Sequence, residues 1–338
     1  MKRREVHRSK KRKKWVLRIF ILLMLIFLCV AGYIYVEYYR SMKASEAELG
    51  ITEEKEPEEF NGAVPNELGK VNILLLGIDE SDPNAPARTD TIMVAQFDPK
   101  ENTAKLISIM RDIYVEIPGY RNYKVNTAYF LGGAELLRET LGHNFGIDLH
   151  YYALVDFTGF EAAVDALAPN GIEIDVERDM SEKIGVELEQ GHQTLNGKEL
   201  LGYARFRADE EGDFGRVRRQ QQVLTALKDE IFSFEGITNL PSVVGTVQPY
   251  IKTNLRNREI LGLLSDFVLN PPDEIETLRI PLDDTYVDNY YSHAGAVLEP
   301  DFEQNRQAIA KFLGEEQDSS FGTTDDFQPE EEQVEQSF

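Results

Sequence analysis

Residues 71–112 read VNILLLGIDESDPNAPARTDTIMVAQFDPKENTAKLISIMRD. The opening VNILLLGID is a near-continuous apolar run, the pattern of a strand covered on both faces. TDTIMVAQFDP and TAKLISIMRD supply two more strands, the first closed by Asp98 and Pro99. Downstream, a turn at IPGY precedes the helical GGAELLRETLG, with Gly142 as its stop. HYYALVDF reads as strand, TGFEAAVDALAP as a helix capped by Thr158, and NGIEIDV as strand. NGKELLGYARF and VRRQQQVLTALKDEIFSF follow as helices. A strand at AGAVLEP then leads into DFEQNRQAIAKFLG, capped at Asp301. Strands alternating with helices over residues 71–314 predict one α/β domain whose sheet carries helices on both faces.

The flanks differ in charge. Residues 1–14 hold nine Lys/Arg against one Glu, a net of +8 in a chain of formal charge −23, so everything after Lys14 carries −31. Residues 15–36, WVLRIFILLMLIFLCVAGYIYV, contain 18 uncharged positions from Ile19 onward. As a helix these reach about 27 Å, close to the roughly 30 Å hydrocarbon core of a bilayer. Trp15 at one end and Tyr33, Tyr35, Tyr38 and Tyr39 at the other occupy the interfacial positions of a membrane span. The reading is a single transmembrane signal anchor, with residues 1–14 as a basic cytoplasmic tail and the domain outside the cell membrane. Cleavage is disfavoured because Val30-Ala31-Gly32 runs on into further apolar residues. Cys29, the only cysteine, follows the large Leu28 and reads as a small apolar residue of the span; no intramolecular disulfide can form. Residues 37–70, with nine acids and four bases, read as an acidic extracellular stalk. Residues 315–338, with nine acids and no base, read as a disordered acidic tail.

The chemistry is carried by carboxylates and arginines. There is no Walker loop, GxGxxG, HExxH or GxSxG, and the five histidines are scattered. Asp79 closes the first strand, Arg88 and Asp90 stand at the start of the second, and Arg111 with Asp112 ends the third. Ligands of open α/β sheets bind at strand carboxyl ends, where such loops converge. Arginine also concentrates at residues 205–219, where Arg205, Arg207, Arg216, Arg218 and Arg219 alternate with Asp209, Glu210, Glu211 and Asp213. Each of these residues alone also fits a turn, a solvated face or a weak surface ion pair. As a set they suit a diphosphate: guanidinium forks grip phosphate oxygens, and paired Asp hold a hard cation such as Mg²⁺ that shares phosphate ligands. Nucleic acid is not the partner expected of so acidic a chain.

The ordered motifs LLLGID, ARTDTIMVAQFD, LISIMRDIYVEIPG, KVNTAYFLGGAELL, YYALVDFTGFEAAVDALAPNGIEIDV, GHQTLNGKELLGYARFR and GDFGRVRRQQQVL resemble the LytR-CpsA-Psr family of bacterial envelope proteins. Met110 stands where that family usually has proline, a change that leaves Arg111 in place. The resemblance implies a three-layer α-β-α domain with a central mixed sheet. It implies transfer of a glycopolymer such as teichoic acid or capsule from a polyprenyl diphosphate carrier to peptidoglycan, through a phosphodiester. Asp79 and Asp90 would be the Mg²⁺ carboxylates, with Mn²⁺ as a substitute. Arg88 and Arg111 would contact the diphosphate. Arg205, Arg207, Arg216, Arg219 and Gln220 would complete the clamp, with Lys124 and Asn126 as lesser contributors and Arg218 outside the motif. The base that takes the acceptor proton is left open between Asp90 and Asp79. The apolar segments NTAYFLGGAELL, FTGFEAAVDAL and QQQVLTALKDEIF either line a slot for the lipid or form ordinary core. A non-catalytic lipid-binding regulator and a polyprenyl diphosphate phosphatase are the two other readings.

Overall fold

The computed structural model describes residues 2–49, 57–65, 69–78, 89–272 and 274–314. The acidic tail 315–338 lies outside them, as do Asp79 and Arg88. In chain order the elements begin with α1 (Lys2–Leu49), β1 (Val71–Ile78), β2 (Thr89–Asp98), β3 (Thr103–Ile109), β4 (Tyr114–Val115) and β5 (Tyr123–Lys124). Next come α2 (Asn126–Phe145), β6 (Tyr151–Asp156), α3 (Phe157–Leu167), β7 (Ile172–Val176), β8 (Gly191–Leu195), α4 (Gly197–Arg205) and α5 (Gly212–Ile231). The chain continues through α6 (Phe234–Val247), β9 (Ile251–Thr253), α7 (Asn257–Leu269), β10 (Ile275–Ile280), β11 (Tyr286–Tyr291), β12 (Gly295–Pro300) and α8 (Phe302–Leu313).

Six strands form a mixed sheet in the order β10-β3-β2-β1-β6-β9. β1 runs parallel to β6 and antiparallel to β2, and β3 is antiparallel to β2 and parallel to β10. One face packs against α2 and α8. There Leu74, Ile78, Ile107 and Ile109 meet Leu137, Leu141, Ile309 and Leu313, all buried. Fully burying side chains of this size stabilises by about 1.5–3 kcal/mol each. A second core joins α3, α4 and α5 to the β7–β8 hairpin through Val164, Leu200, Tyr203 and Val223. The apolar run of β1 is covered on both faces, but its covers differ. Leu74, Leu76 and Ile78 are buried, whereas Leu75 is half-buried on the side facing α3 and α5.

Several local readings need correcting. Asp156, not Thr158, caps α3, accepting from the Gly159 amide at 2.7 Å. The helix α2 ends not at Gly142 but at Gly146, whose φ of 70° is the left-handed conformation glycine adopts without strain. It also begins earlier, at Asn126, and breaks at Gly132 and Gly133.

The acidic stretch 37–70 is not a free stalk where it is described. The Glu58 carboxylate accepts from the Ala134 amide at 3.0 Å and from the Tyr129 hydroxyl at 2.9 Å. It thus serves the amide exposed by the break in α2, the role of a cap supplied from a distant segment. Phe60 packs on Tyr152, ring centroids 5.1 Å apart. The helix α1 continues through the predicted span to Leu49 and docks on α6. Ser41 and Ser242 hydroxyls share a hydrogen bond of 2.8 Å, and the Tyr38 hydroxyl donates to Gln248. Gly245 permits the approach, because a Cβ there would lie 2.2 Å from the Tyr38 carbonyl oxygen. Among the described residues no helix is long and apolar enough to cross a membrane. Side chains 2–21, 23, 27, 48 and 49 of α1 lie outside them.

Candidate functional site

The sheet register builds the site. Because β2 is antiparallel to both neighbours, its first residues lie beside the carboxyl ends of β1 and β3; Thr89 pairs with Ile78, and Ile92 with Ile109. Asp90 therefore meets Arg111, two residues past the end of β3, and Arg111 Nη1 donates to Asp90 Oδ1. The first turns of α5 close the same corner. Asp213 accepts from Arg111 Nε at 3.2 Å and from Arg216 Nη2 at 3.0 Å, both on Oδ2, while Arg207 Nη1 lies 3.9 Å from Oδ1. One turn further on, Gln220 Nε2 donates to Thr91 Oγ1 at 2.9 Å. Burial opposes the charge of Arg111, but Asp213, Asp90 and Asp112 outweigh it and hold the guanidinium above its ordinary value.

Arg216 is the contrasting case. It is 5% exposed, and burial followed by repulsion from Arg111 pushes its pKa down. Its Nε has no hydrogen-bond partner. A buried donor left open beside a second guanidinium is a poor arrangement alone and a good one for an anion. The cleft formed by Asp90, Arg111, Asp213, Arg216 and Gln220 opens into a cavity of about 780 Å³. The walls of that cavity are apolar, from Leu75, Met93, Val155, Phe160, Leu224 and Ile251, and its polar mouth includes Asp90, Arg205, Arg207, Asp213 and Arg216. A group with a charged head and a long apolar tail would satisfy both ends.

The sequence-predicted residues divide accordingly. Asp90, Arg111, Arg216 and Gln220 meet at the cleft, and Arg205 and Arg207 join them at the cavity mouth, the Arg205 guanidinium 4.1 Å from the Phe157 ring centroid. Asp79 and Arg88 fall outside the described residues. Arg219 is a correction. Its side chain is wholly buried away from the cleft, where Nη2 donates to Asp209 and Nη1 to the Phe206 carbonyl at 3.1 Å. Arg218 also stands apart, paired with Glu177 and Glu211. Lys124 Nζ donates to Asp112 at 2.7 Å, and the Asn126 amide donates to the Arg111 carbonyl at 3.4 Å.

Sequence reading missed Asp213, grouping it with the interleaved acids. Its spacing three residues before Arg216 places both on one helix face, and that was the available signal. The lipid-slot segments also separate. FTGFEAAVDAL and QQQVLTALKDEIF line the cavity through Phe157, Phe160, Val223 and Leu224, whereas NTAYFLGGAELL belongs to α2 on the opposite face of the sheet. Among the described residues no cluster of three or more His, Cys, Asp or Glu forms a metal cage. Asp90 and Asp213 do supply two carboxylates at the mouth. Mg²⁺ typically takes one or two such ligands and completes its shell with water and phosphate oxygens, so this donor set fits it.

The LytR_cpsA_psr family matches residues 33–310. Regulatory protein MsrR of Staphylococcus aureus is 48% identical over 258 residues, 76% of this chain and 78% of its own length. The Bacillus subtilis polyisoprenyl-teichoic acid–peptidoglycan teichoic acid transferase TagV is 31% identical over 332 residues, 93% of this chain and 82% of its own. The crystal structure of B. subtilis TagV superposes with a TM-score of 0.62, covering 74% of this chain and 100% of the crystallised one. TagT, also called YwtF, with bound octaprenyl pyrophosphate lipid superposes with a TM-score of 0.55 at 28% identity, over 77% and 97% of the two chains. The motifs, the mixed sheet and these likenesses agree: the chain belongs to the LytR-CpsA-Psr family.

Proposed function

We propose that this protein is a membrane-anchored phosphotransferase that moves a glycopolymer from a polyprenyl diphosphate carrier to peptidoglycan. The observation that carries the reading is the junction of two unlike spaces. A cleft of arginines and carboxylates, with an open buried donor on Arg216, leads directly into an apolar cavity of about 780 Å³. That junction suits one molecule with a diphosphate head and an isoprenoid tail. The teichoic acid transferase TagV and the lipid-bound TagT support it by likeness.

In the proposed reaction, Arg111, Arg207 and Arg216 bind and orient the diphosphate. Arg216 Nε donates to a phosphate oxygen and thereby gains its missing partner. Asp90 and Asp213, with Asp79, the next residue in sequence after β1, would hold Mg²⁺, which when bound would neutralise charge on the phosphate oxygens. An acceptor sugar hydroxyl attacks the polymer-bearing phosphorus, and its proton passes to Asp90 or Asp79. The new P–O bond forms as the bond to the bridging oxygen breaks, and polyprenyl monophosphate leaves with that oxygen. The anchor keeps the cavity beside the membrane in which the carrier lipid resides.

The full chain in detergent, given a synthetic polyprenyl diphosphate-glycan, peptidoglycan oligomers and Mg²⁺, should yield a glycan-phosphate-peptidoglycan adduct by mass spectrometry. The adduct should vanish with EDTA and in Arg111→Ala. Lipid cleavage with nothing joined would point to a phosphatase. Binding without turnover would favour a regulator, a reading supported by the name of MsrR, at 48% identity.

A further inference from the structure

Beyond the diphosphate cleft, β5, β4, β12 and β11 make a small continuous surface. Tyr114 pairs with Lys124 across β4–β5, and a parallel bridge between Ile113 and Leu298 joins β4 to β12, which pairs with β11. The alternation of strand side chains puts Asp112, Tyr114, Lys124, Asn289, Tyr291 and Glu299 on one face. Their contacts agree with this register. Lys124 Nζ donates to Asp112 at 2.7 Å, the Tyr114 and Tyr291 rings stack with centroids 4.5 Å apart, and Asn289 Nδ2 donates to Glu299 at 3.0 Å. The Tyr291 hydroxyl also donates to Glu299, and His293 Nε2 lies 3.3 Å from the Tyr114 hydroxyl.

This face is continuous with the cleft. Arg111 Nε lies 3.2 Å from Asp213 and 3.6 Å from Asp112, so a single guanidinium joins the two regions. The apolar cavity reaches Asp90, Asp213 and Arg216 but not Arg111. None of Asp112, Tyr114, Lys124, Asn289, Tyr291 and Glu299 lines that cavity, so the face and the cavity meet the cleft separately, the face through Arg111. In an in-line displacement the leaving lipid phosphate and the attacking hydroxyl lie on opposite sides of the phosphorus. A lipid tail seated in the cavity leaves the side of this face to the acceptor.

Stacked, half-exposed tyrosines edged by amide, carboxylate and ammonium groups suit a pyranose chain. Aromatic faces cover apolar sugar faces, and fixed polar groups read hydroxyls and amides. We infer that the surface formed by Tyr114, Tyr291, Asn289, Glu299 and the Asp112–Lys124 pair is the docking site for the acceptor glycan strand. The inference rests on the proposed transfer reaction and assigns the acceptor side of its site.

The test uses the full chain in detergent with uncrosslinked peptidoglycan strands freed of attached glycopolymer. Wild type should retain the strands. Tyr291→Leu and the solvent-exposed Asn289→Ala should weaken retention and raise the half-saturating acceptor concentration roughly three- to tenfold. Octaprenyl diphosphate affinity should not change. Unchanged retention and acceptor dependence in both variants overturns the assignment while leaving transfer intact. Should wild type make no adduct, retention alone decides: loss in the variants keeps the face as a glycan site although the transfer reading fails. Equal retention by variants and wild type, or none by wild type, overturns it.

Discussion

On one face of the central sheet, Leu74, Ile78 and Ile107 are sealed against α2 and α8. On the other, Leu75, Met93 and Val155 border about 780 Å³ of space between the sheet and α3 and α5. Both faces are apolar, and the strands that supply them are the same. The difference lies in what covers them. The helices α2 and α8 share one buried core with the strands, whereas α3, α4 and α5 bury apolar residues among themselves and the β7–β8 hairpin. Stability is thereby concentrated on the sealed face, and the hollow face is left free to hold a ligand.

The largest expected effect tests that division directly. Leu137→Ala, on the sealed face, should cost about 2–5 kcal/mol, because the surroundings cannot collapse fully into the void. Leu75→Ala, at a half-buried position beside an existing space, should cost clearly less than Leu137→Ala and show instead as weaker lipid binding. Urea denaturation of both variants, beside octaprenyl diphosphate titration, makes the comparison. Equal losses of stability would break the contrast between the two faces.

Arg216→Met sharpens it at the rim of the hollow face. Removing one oriented donor from a charge-stabilising site should lower transfer by about 10²–10³-fold. The fold itself disfavours this charge, since burial and Arg111 depress its pKa. The melting temperature should therefore hold or rise, a separation of stability from activity expected of a residue retained for its ligand. A fall in both would show Arg216 to be structural.

The smallest effect is a pH limb. Paired first with Arg218, and also near Arg219, Glu177 is held down to about 2 from its ordinary 4.5. A carboxylate depressed in the folded state contributes stability above its unfolded pKa and loses it as pH falls through the folded value. Unfolding free energy should therefore decline between about pH 4.5 and about pH 2. In Glu177→Gln the decline across that window should be shallower, which acid-range urea melts would measure. An unaltered slope would mean that this ion pair does not couple α5 to the end of β7.

Local pattern carried much of this architecture. The strands β1, β2 and β3 announce themselves by apolar runs and turn residues, and α8 by the Asp301 cap. Asp90 and Arg111 were legible because strand ends are where α/β sheets place ligands. What escaped depends on long-range pairing. Nothing near Glu58 in sequence shows that it serves the break in α2, 76 residues on at Ala134. Nor does the spacing of Arg216 and Arg219 tell which guanidinium faces the cleft and which turns to Asp209. NTAYFLGGAELL has the same apolar character as the true cavity walls and differs only in the face of the sheet that it covers.

The seam between α1 and α6 has a mechanical meaning. α1 is one helix of 48 residues, about 72 Å long, and it grips α6 from Tyr38 onward, two residues past the uncharged run. The end of α6, at Val247, is itself part of the cavity wall. With the anchoring proposed here, the domain rides on a stiff shaft rather than a tether. Each residue inserted at the membrane exit would turn the cavity mouth by about 100° around that shaft and lift it by about 1.5 Å. The position of the mouth against the bilayer is then a matter of helical phase, so that a change of a few residues matters less for reach than for the direction in which the mouth faces.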